Sequence, residues 1–212
     1  MKIRGWMMAL PLVAMGQGQA MAQESGLAGT LEARMRAVIV APDPSATITA
    51  GGSAVGGKTS VTDSVIPEFD LTYFLTDNIS ANLIAGVTRH TVSNSVTGRI
   101  ASVSLLPPTV TVLYHFDPNG AIRPYLGAGL NYTIFYDPAP VAALKPISFS
   151  DNVGFALQGG ADIPVGNGPY FLNFDVKKLF LKTGVTATAT GAVRAKASLD
   201  PWLVGFGVGV RF

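Results

Sequence analysis

The sequence predicts an all-β chain: an eight-stranded antiparallel transmembrane β-barrel with long extracellular loops and short periplasmic turns. Three observations predict it. The chain is greasy, with only 13% charged residues and a mean hydropathy of +0.37, yet past its N-terminal segment no stretch approaches the roughly 18–20 consecutive apolar residues of a spanning helix. Eight segments instead alternate apolar and polar or small residues with a period of two, which places one set on each face of a strand. The connections between those segments are alternately short and long. A bilayer offers no partner for an unpaired backbone N–H or C=O, so a greasy chain without spanning helices crosses it as a closed barrel.

The first 22 residues are of a different kind. Lys2 and Arg4 precede the apolar run Gly5–Met15, and Ala20-Met21-Ala22 supplies small residues at a cleavage position. This is the pattern of a secretory signal peptide over residues 1–22, with the barrel over residues 23–212. Removing Lys2 and Arg4 from the 15 basic residues leaves 13, against 13 acidic. The exported chain is therefore neutral, and no nucleic-acid surface is expected. It has no cysteine and so no disulfide.

The first strand, Leu31–Ala41, sets Leu31, Ala33, Met35, Ala37 and Ile39 opposite Glu32, Arg34, Arg36, Val38 and Val40. The second, Ile66–Leu75, opposes Phe69, Leu71, Tyr73 and Leu75 to Glu68, Asp70 and Thr72. Asp77-Asn78 turns it into the third, Ile79–Thr88. The fourth, Thr109–Phe116, ends at Asp117-Pro118-Asn119-Gly120, a strong turn signal. The fifth, Arg123–Tyr136, alternates Leu126, Ala128, Leu130 and Tyr132 with Tyr125, Gly127, Gly129 and Asn131. The sixth is Asn152–Ile163, and Gly166-Asn167-Gly168 turns it into the seventh, Tyr170–Leu181. The eighth, Trp202–Phe212, is apolar at every even position and, after Leu203, glycine or arginine at every odd one. The long connections, 42–65, 89–108, 137–151 and 182–201, are rich in Gly, Ser, Thr and Ala and are expected to be loops.

A soluble lipocalin-like barrel alternates in the same way but keeps its apolar set inside. Here the other set holds Gly127, Gly129, Gly205, Gly207 and Gly209, poor choices for a surface in water. They suit a narrow lumen that must not be overfilled.

With both termini at the periplasmic end, four strands repeat one gradient. Glu32, Arg34 and Arg36 give way to Val38 and Val40; Asn173, Asp175 and Lys177 give way to Leu179 and Leu181. On the eighth strand Leu203 at the outer end passes through glycines to Arg211, and the sixth strand ends with Gln158 and Asp162 at the inner end. Buried charges must pair, so Arg34 and Arg36 are expected to meet Glu68 and Asp70, with Asp162, Asp175, Lys177 and Arg211 extending a polar plug. Above it Val38, Val40, Ile84, Leu179, Leu181 and Leu203 are the expected apolar lining. Proline cannot donate to a ladder, so Pro67, Pro107 and Pro108 mark a site where barrel hydrogen bonds are unmade and a lateral opening can form. They can equally do no more than end loops.

No catalytic residues, metal ligands or cofactor are expected. His90 lies near an outer loop and His115 near an inner turn, and no serine–histidine–acid set stands out, so no enzyme is expected. GAGLNYTIF is glycine-rich, but no helix follows it, as a phosphate-binding loop would require.

The segments LPPTVTVLYHF, IRPYLGAGLNYTIFYD, DNVGFALQGGADI and FDLTYFLTDNISANL, with the ending LDPW…GVRF, resemble the OmpW family of small outer-membrane proteins. The resemblance spans nearly the whole mature chain and is weakest in the loops after strands one, five and seven. It implies an eight-stranded barrel in the outer membrane of a Gram-negative bacterium. The implied function is a hydrophobic channel for passive uptake of small apolar solutes, with exit sideways through the wall into lipid. Relatives encoded beside hydrocarbon-degrading enzymes serve alkane uptake. The resemblance also makes Phe212 the C-terminal aromatic read by the barrel-assembly machinery. Lys177 and Lys178 stand where relatives can carry aromatic gate residues, so no aromatic gate is assigned. The alternative is a structural or adhesion barrel whose loops bind an external partner.

Overall fold

The computed structural model describes residues 26–141, 146–188 and 192–212. The predicted signal peptide lies outside the described residues. Every regular element among them is a strand: β1 (Leu31–Ala41), β2 (Ser45–Ala50), β3 (Ser53–Val55), β4 (Thr59–Val61), β5 (Ser64–Phe74), β6 (Ile79–Gly86), β7 (Thr88–Asn94), β8 (Gly98–Leu106), β9 (Thr109–His115), β10 (Arg123–Pro140), β11 (Ile147–Phe149), β12 (Asn152–Pro164), β13 (Tyr170–Phe180), β14 (Lys182–Thr188), β15 (Ala192–Ser198) and β16 (Trp202–Arg211).

Eight of these close on themselves in the order β12-β13-β16-β1-β5-β6-β9-β10, with β10 returning to β12. All the pairings are antiparallel, so no sheet edge is left within the barrel. These are the eight predicted strands. Met35, Phe69, Leu126 and Phe206 are each more than half exposed on the outer face, as lipid-facing residues must be. Their neighbours in sequence, Arg34, Arg36, Asp70 and Gly207, face the lumen. Gly207 has no room for a side chain: a Cβ there would lie 2.0 Å from the carbonyl oxygen of Met35 on β1. Two residues on, a Cβ at Gly209 would lie 2.3 Å from the ring of Phe171. Glycine on β16 thus lets two walls and one large lumen side chain share a narrow cross-section.

The four long connections depart from the sequence expectation. They contain β2, β3, β4, β7, β8, β11, β14 and β15, and β10 runs on to Pro140. β11-β14-β15-β2-β3 form a separate five-stranded sheet, while β8, β7 and β4 extend the barrel sheet from the outer part of β10, where β8 pairs with Ile134–Pro140. The reason is visible in SATITA, where Ala46, Ile48 and Ala50 line a cavity while Thr47 is exposed. Small and β-branched residues still alternate with period two. Composition pointed to loops where the alternation specified strands. The third predicted strand also breaks at Val87, between β6 and β7.

Candidate functional site: an apolar chamber above a charged septum

Cross-strand register builds the septum. β1 and β5 pair Arg34 with Asp70 and Arg36 with Glu68, and β1 and β16 pair Glu32 with Arg211. Directly opposed residues lie within side-chain reach, so inward position and register together dictate these three ion pairs. Arg34 reaches Asp70 at 3.2 Å, Asp162 at 2.7 Å and Glu32 at 2.5 Å, and donates to Thr72 at 2.5 Å. Its guanidinium also lies 5.3 Å from the Phe171 ring centroid and 5.7 Å from that of Tyr125. Arg36 donates to Glu68 at 3.0 Å and Asn173 at 2.9 Å and ion-pairs with Asp70. Lys177 joins Glu68 and Asp175, each at 2.7 Å. Arg211 closes the periplasmic side on Glu32 at 2.7 Å.

Neutral side chains also donate to two of the carboxylates. Tyr125 OH and the Gln158 amide each donate to Asp175 Oδ2 at 2.7 Å, and Asn173 donates to Asp162 at 2.7 Å. All nine residues predicted for the polar plug meet in this one network. Sequence reasoning did not assign Tyr125, Asn173 or Thr72 to it; inward parity on their strands is the signal that could have. His115 packs beside Phe74 and Tyr125, with ring centroids 4.7 and 5.6 Å away, and shares a 2.9 Å hydrogen bond with Ser80. His90 lies on β7 beyond the other end of the septum, its Nδ1 donating to the Thr62 carbonyl at 2.5 Å.

On the extracellular side of the septum the lumen becomes apolar. A lower chamber of about 80 Å³ is walled by Val40, Ile66, Ile84, Leu105, Leu181 and Leu203, with Glu68 and Lys177 in its floor. Five of the six predicted lining residues border it: Val40, Ile84, Leu179, Leu181 and Leu203. Val38 does not. It is fully buried one step below, in a cluster with Ile66, Ala156, Leu179 and Leu203, because the gradient on β1 turns apolar one inward residue before the cavity opens. An upper chamber of about 180 Å³ follows, lined by Ile48, Val92, Ile147, Val185 and Val193. Thr59, Val92, Phe149, Val185 and Ala197 border both. Phe135 and Phe149 stack here with centroids 5.7 Å apart; both lie at or beyond the end of a predicted strand, and sequence reasoning passed over them.

The wall of the lower chamber has an interrupted seam. The β5–β6 ladder ends at Glu68 and Gly86, and backbone pairing resumes only where the Thr62 N–H reaches the Thr91 carbonyl at 3.1 Å. Over Val65–Pro67 β5 keeps its partner β1 but has no ladder partner on its other side. The β6–β9 ladder stops at Ile84 and Thr109, and β7–β8 begins at Thr88 and Leu105. Pro107 and Pro108 occupy that gap. The structure therefore places the three predicted prolines on the two sides of the Gly86–Val87 step. Side chains bridge the seam instead: Ser64 and Thr88 hydroxyls at 2.6 Å, then Thr88 and His90 Nε2 at 2.9 Å. Val65, Phe69 and Val87 beside it are exposed apolar residues, so the seam faces the hydrocarbon side.

A closed eight-stranded barrel, greasy outside and holding a charged septum beneath an apolar chamber, defines a transmembrane protein of the outer-membrane type. The model of the OmpW family matches residues 27–212. The chain belongs to that family and resides in the outer membrane of a Gram-negative bacterium. It is 36% identical over 214 residues to outer membrane protein W of Escherichia coli, covering 96% of this chain and 97% of the relative. The crystal structure of OprG from Pseudomonas aeruginosa superposes with a TM-score of 0.83 at 25% identity, over 87% of this chain and 96% of that one. Outer membrane protein AlkL, solved by solid-state NMR in DMPC bilayers, superposes with a TM-score of 0.71 at 26% identity, over 93% and 97%.

Proposed function

We propose that this barrel carries small hydrophobic molecules passively across the outer membrane and releases them sideways into the lipid. The seam at Gly86–Val87 carries the proposal. A solute entering from outside through the upper chamber meets apolar walls and, below, a floor of paired charges that it cannot solvate. Passing the septum would require breaking buried ion pairs, which costs several kcal/mol. The seam beside Pro67, Pro107 and Pro108 is the stretch of chamber wall where few backbone hydrogen bonds have to open. Beyond it lie Val65, Phe69 and Val87 and the bilayer interior, where an apolar solute is most stable. The protein acts as a conduit and no enzymatic step is assigned to it.

Two further roles complete the reading. Residues 1–22 serve as the export signal. Phe212, whose N–H pairs with the Leu31 carbonyl at 2.8 Å while its ring stays exposed, serves as the terminal aromatic that the assembly machinery reads.

Replacing Pro107 and Pro108 by threonine restores two N–H donors at the seam. Uptake of a small hydrocarbon by cells, normalised to surface protein, is expected to slow several-fold with barrel abundance unchanged. An unchanged rate removes these prolines from the mechanism. A rate equal to that of cells lacking the protein, measured for the unaltered chain, removes transport and leaves a barrel that presents its outer strands to an external partner.

A further inference from the structure

The chambers are not uniformly greasy. Seven polar side chains border the lower one, and six have protein partners. Glu68 and Lys177 hold each other at 2.7 Å. Thr88 and His90 are bonded at 2.9 Å, Thr109 donates to the Pro107 carbonyl at 3.0 Å, and Thr183 donates to the Ser150 carbonyl at 2.9 Å. The seventh is Thr59, the first residue of β4. It is 8% exposed, and its Oγ1 has no hydrogen-bond partner among the described residues.

Its place in the fold makes that hydroxyl a recognition element. Thr59 borders both chambers, at their junction. β4 pairs Thr59 with Asn94 and Val61 with Val92, and Ser60 between them is exposed, so strand parity turns Thr59 and Val61 inward. Around the junction stand Val92, Phe149, Val185 and Ala197, which offer neither donor nor acceptor from their side chains. A buried hydroxyl without a partner is unfavourable, and sites of this kind gain when a ligand supplies the missing group. A threonine hydroxyl both donates and accepts, so it suits an alcohol or a carbonyl equally.

We infer that the chambers select apolar molecules bearing one oxygen function, an alkanol or alkanone rather than a bare alkane, with that oxygen on Thr59 Oγ1 and the hydrocarbon tail in the lower chamber. This rests on the conduit reading above and names its preferred cargo. A site built only to pass hydrocarbon has no use for the hydroxyl, since valine has the same shape and no desolvation cost.

The test uses the full mature chain in lipid nanodiscs, with 13C-methyl signals of Val92 and Val185 as reporters and 1-octanol and octane as probes. Partition of each probe into lipid is common to all variants, so half-saturation points compare directly. Thr59→Val is expected to weaken 1-octanol by about five- to tenfold, the value of one net hydrogen bond, and to leave octane unchanged; Thr59→Ser keeps 1-octanol at the wild-type value. Equal changes for the two probes, no change for either, or no response of the reporters to 1-octanol in the unaltered chain would each overturn the inference. Cellular uptake is measured separately. Selective binding of 1-octanol without protein-dependent uptake would remove the conduit reading and leave the oxygen site standing.

Discussion

Truncating Arg34 to alanine should be the most damaging single change in the septum. The Arg34 side chain and those of Glu32, Asp70 and Asp162 are each at most 1% exposed, so solvent screens none of these pairs. Within the network four cations, Arg34, Arg36, Lys177 and Arg211, face five carboxylates, Glu32, Glu68, Asp70, Asp162 and Asp175. Arg123 also turns inward at the periplasmic end, opposite Asp162. Arg34→Ala removes one cation from the middle of three acids and takes away the guanidinium that lies over the Phe171 and Tyr125 rings. Breaking a buried pair by deleting one partner costs about 3–5 kcal/mol, which is about two to three and a half powers of ten in the folding equilibrium. Urea unfolding in DMPC vesicles, followed by the mobility difference between folded and boiled protein on a detergent gel, measures it. The expected result is a large fall in the unfolding midpoint. Adding Asp70→Asn and Asp162→Asn to Arg34→Met should recover much of the loss, because the stranded charges go with the cation. An unchanged midpoint for Arg34→Ala would refute the premise that the septum is dry and mutually dependent.

Two other outcomes are expected. Gly207→Ala puts a Cβ against the Met35 carbonyl on the neighbouring strand; the contact involves backbone, which cannot swing aside, so the β1–β16 closure should fail and the fast-migrating folded band should be lost. A normal yield of heat-modifiable protein would show that the two strands can separate without cost. Deleting Phe212 should lower the amount of barrel in the outer membrane while leaving export to the periplasm intact, and undiminished surface levels would remove its role in assembly.

The barrel was legible from the sequence because a membrane strand has only two faces and two very different surroundings. Alternation alone fixed which side chains of β1, β5, β13 and β16 turn inward, and a single residue of slip would have put Arg34 and Arg36 into lipid. Closure and register then left Arg34 and Arg36 little choice but Glu68 and Asp70, which lie directly opposite them. What the sequence could not supply was height and distance across the lumen. That Lys177 on β13 bonds Glu68 on β5, or Asp162 on β12 bonds Arg34 on β1, depends on the stagger of the closed sheet and not on any spacing along the chain. The outer strands were hidden for a different reason: their alternation is of alanine, valine and threonine, too weak in polarity to stand out against loop composition. The seam needed both levels. Three prolines announced that donors were missing, but only the assembled wall brings Pro67 to one side of Gly86–Val87 and Pro107 and Pro108 to the other. The unpartnered Thr59 is tertiary altogether, since a hydroxyl becomes an orphan only when folding brings no donor or acceptor within its reach.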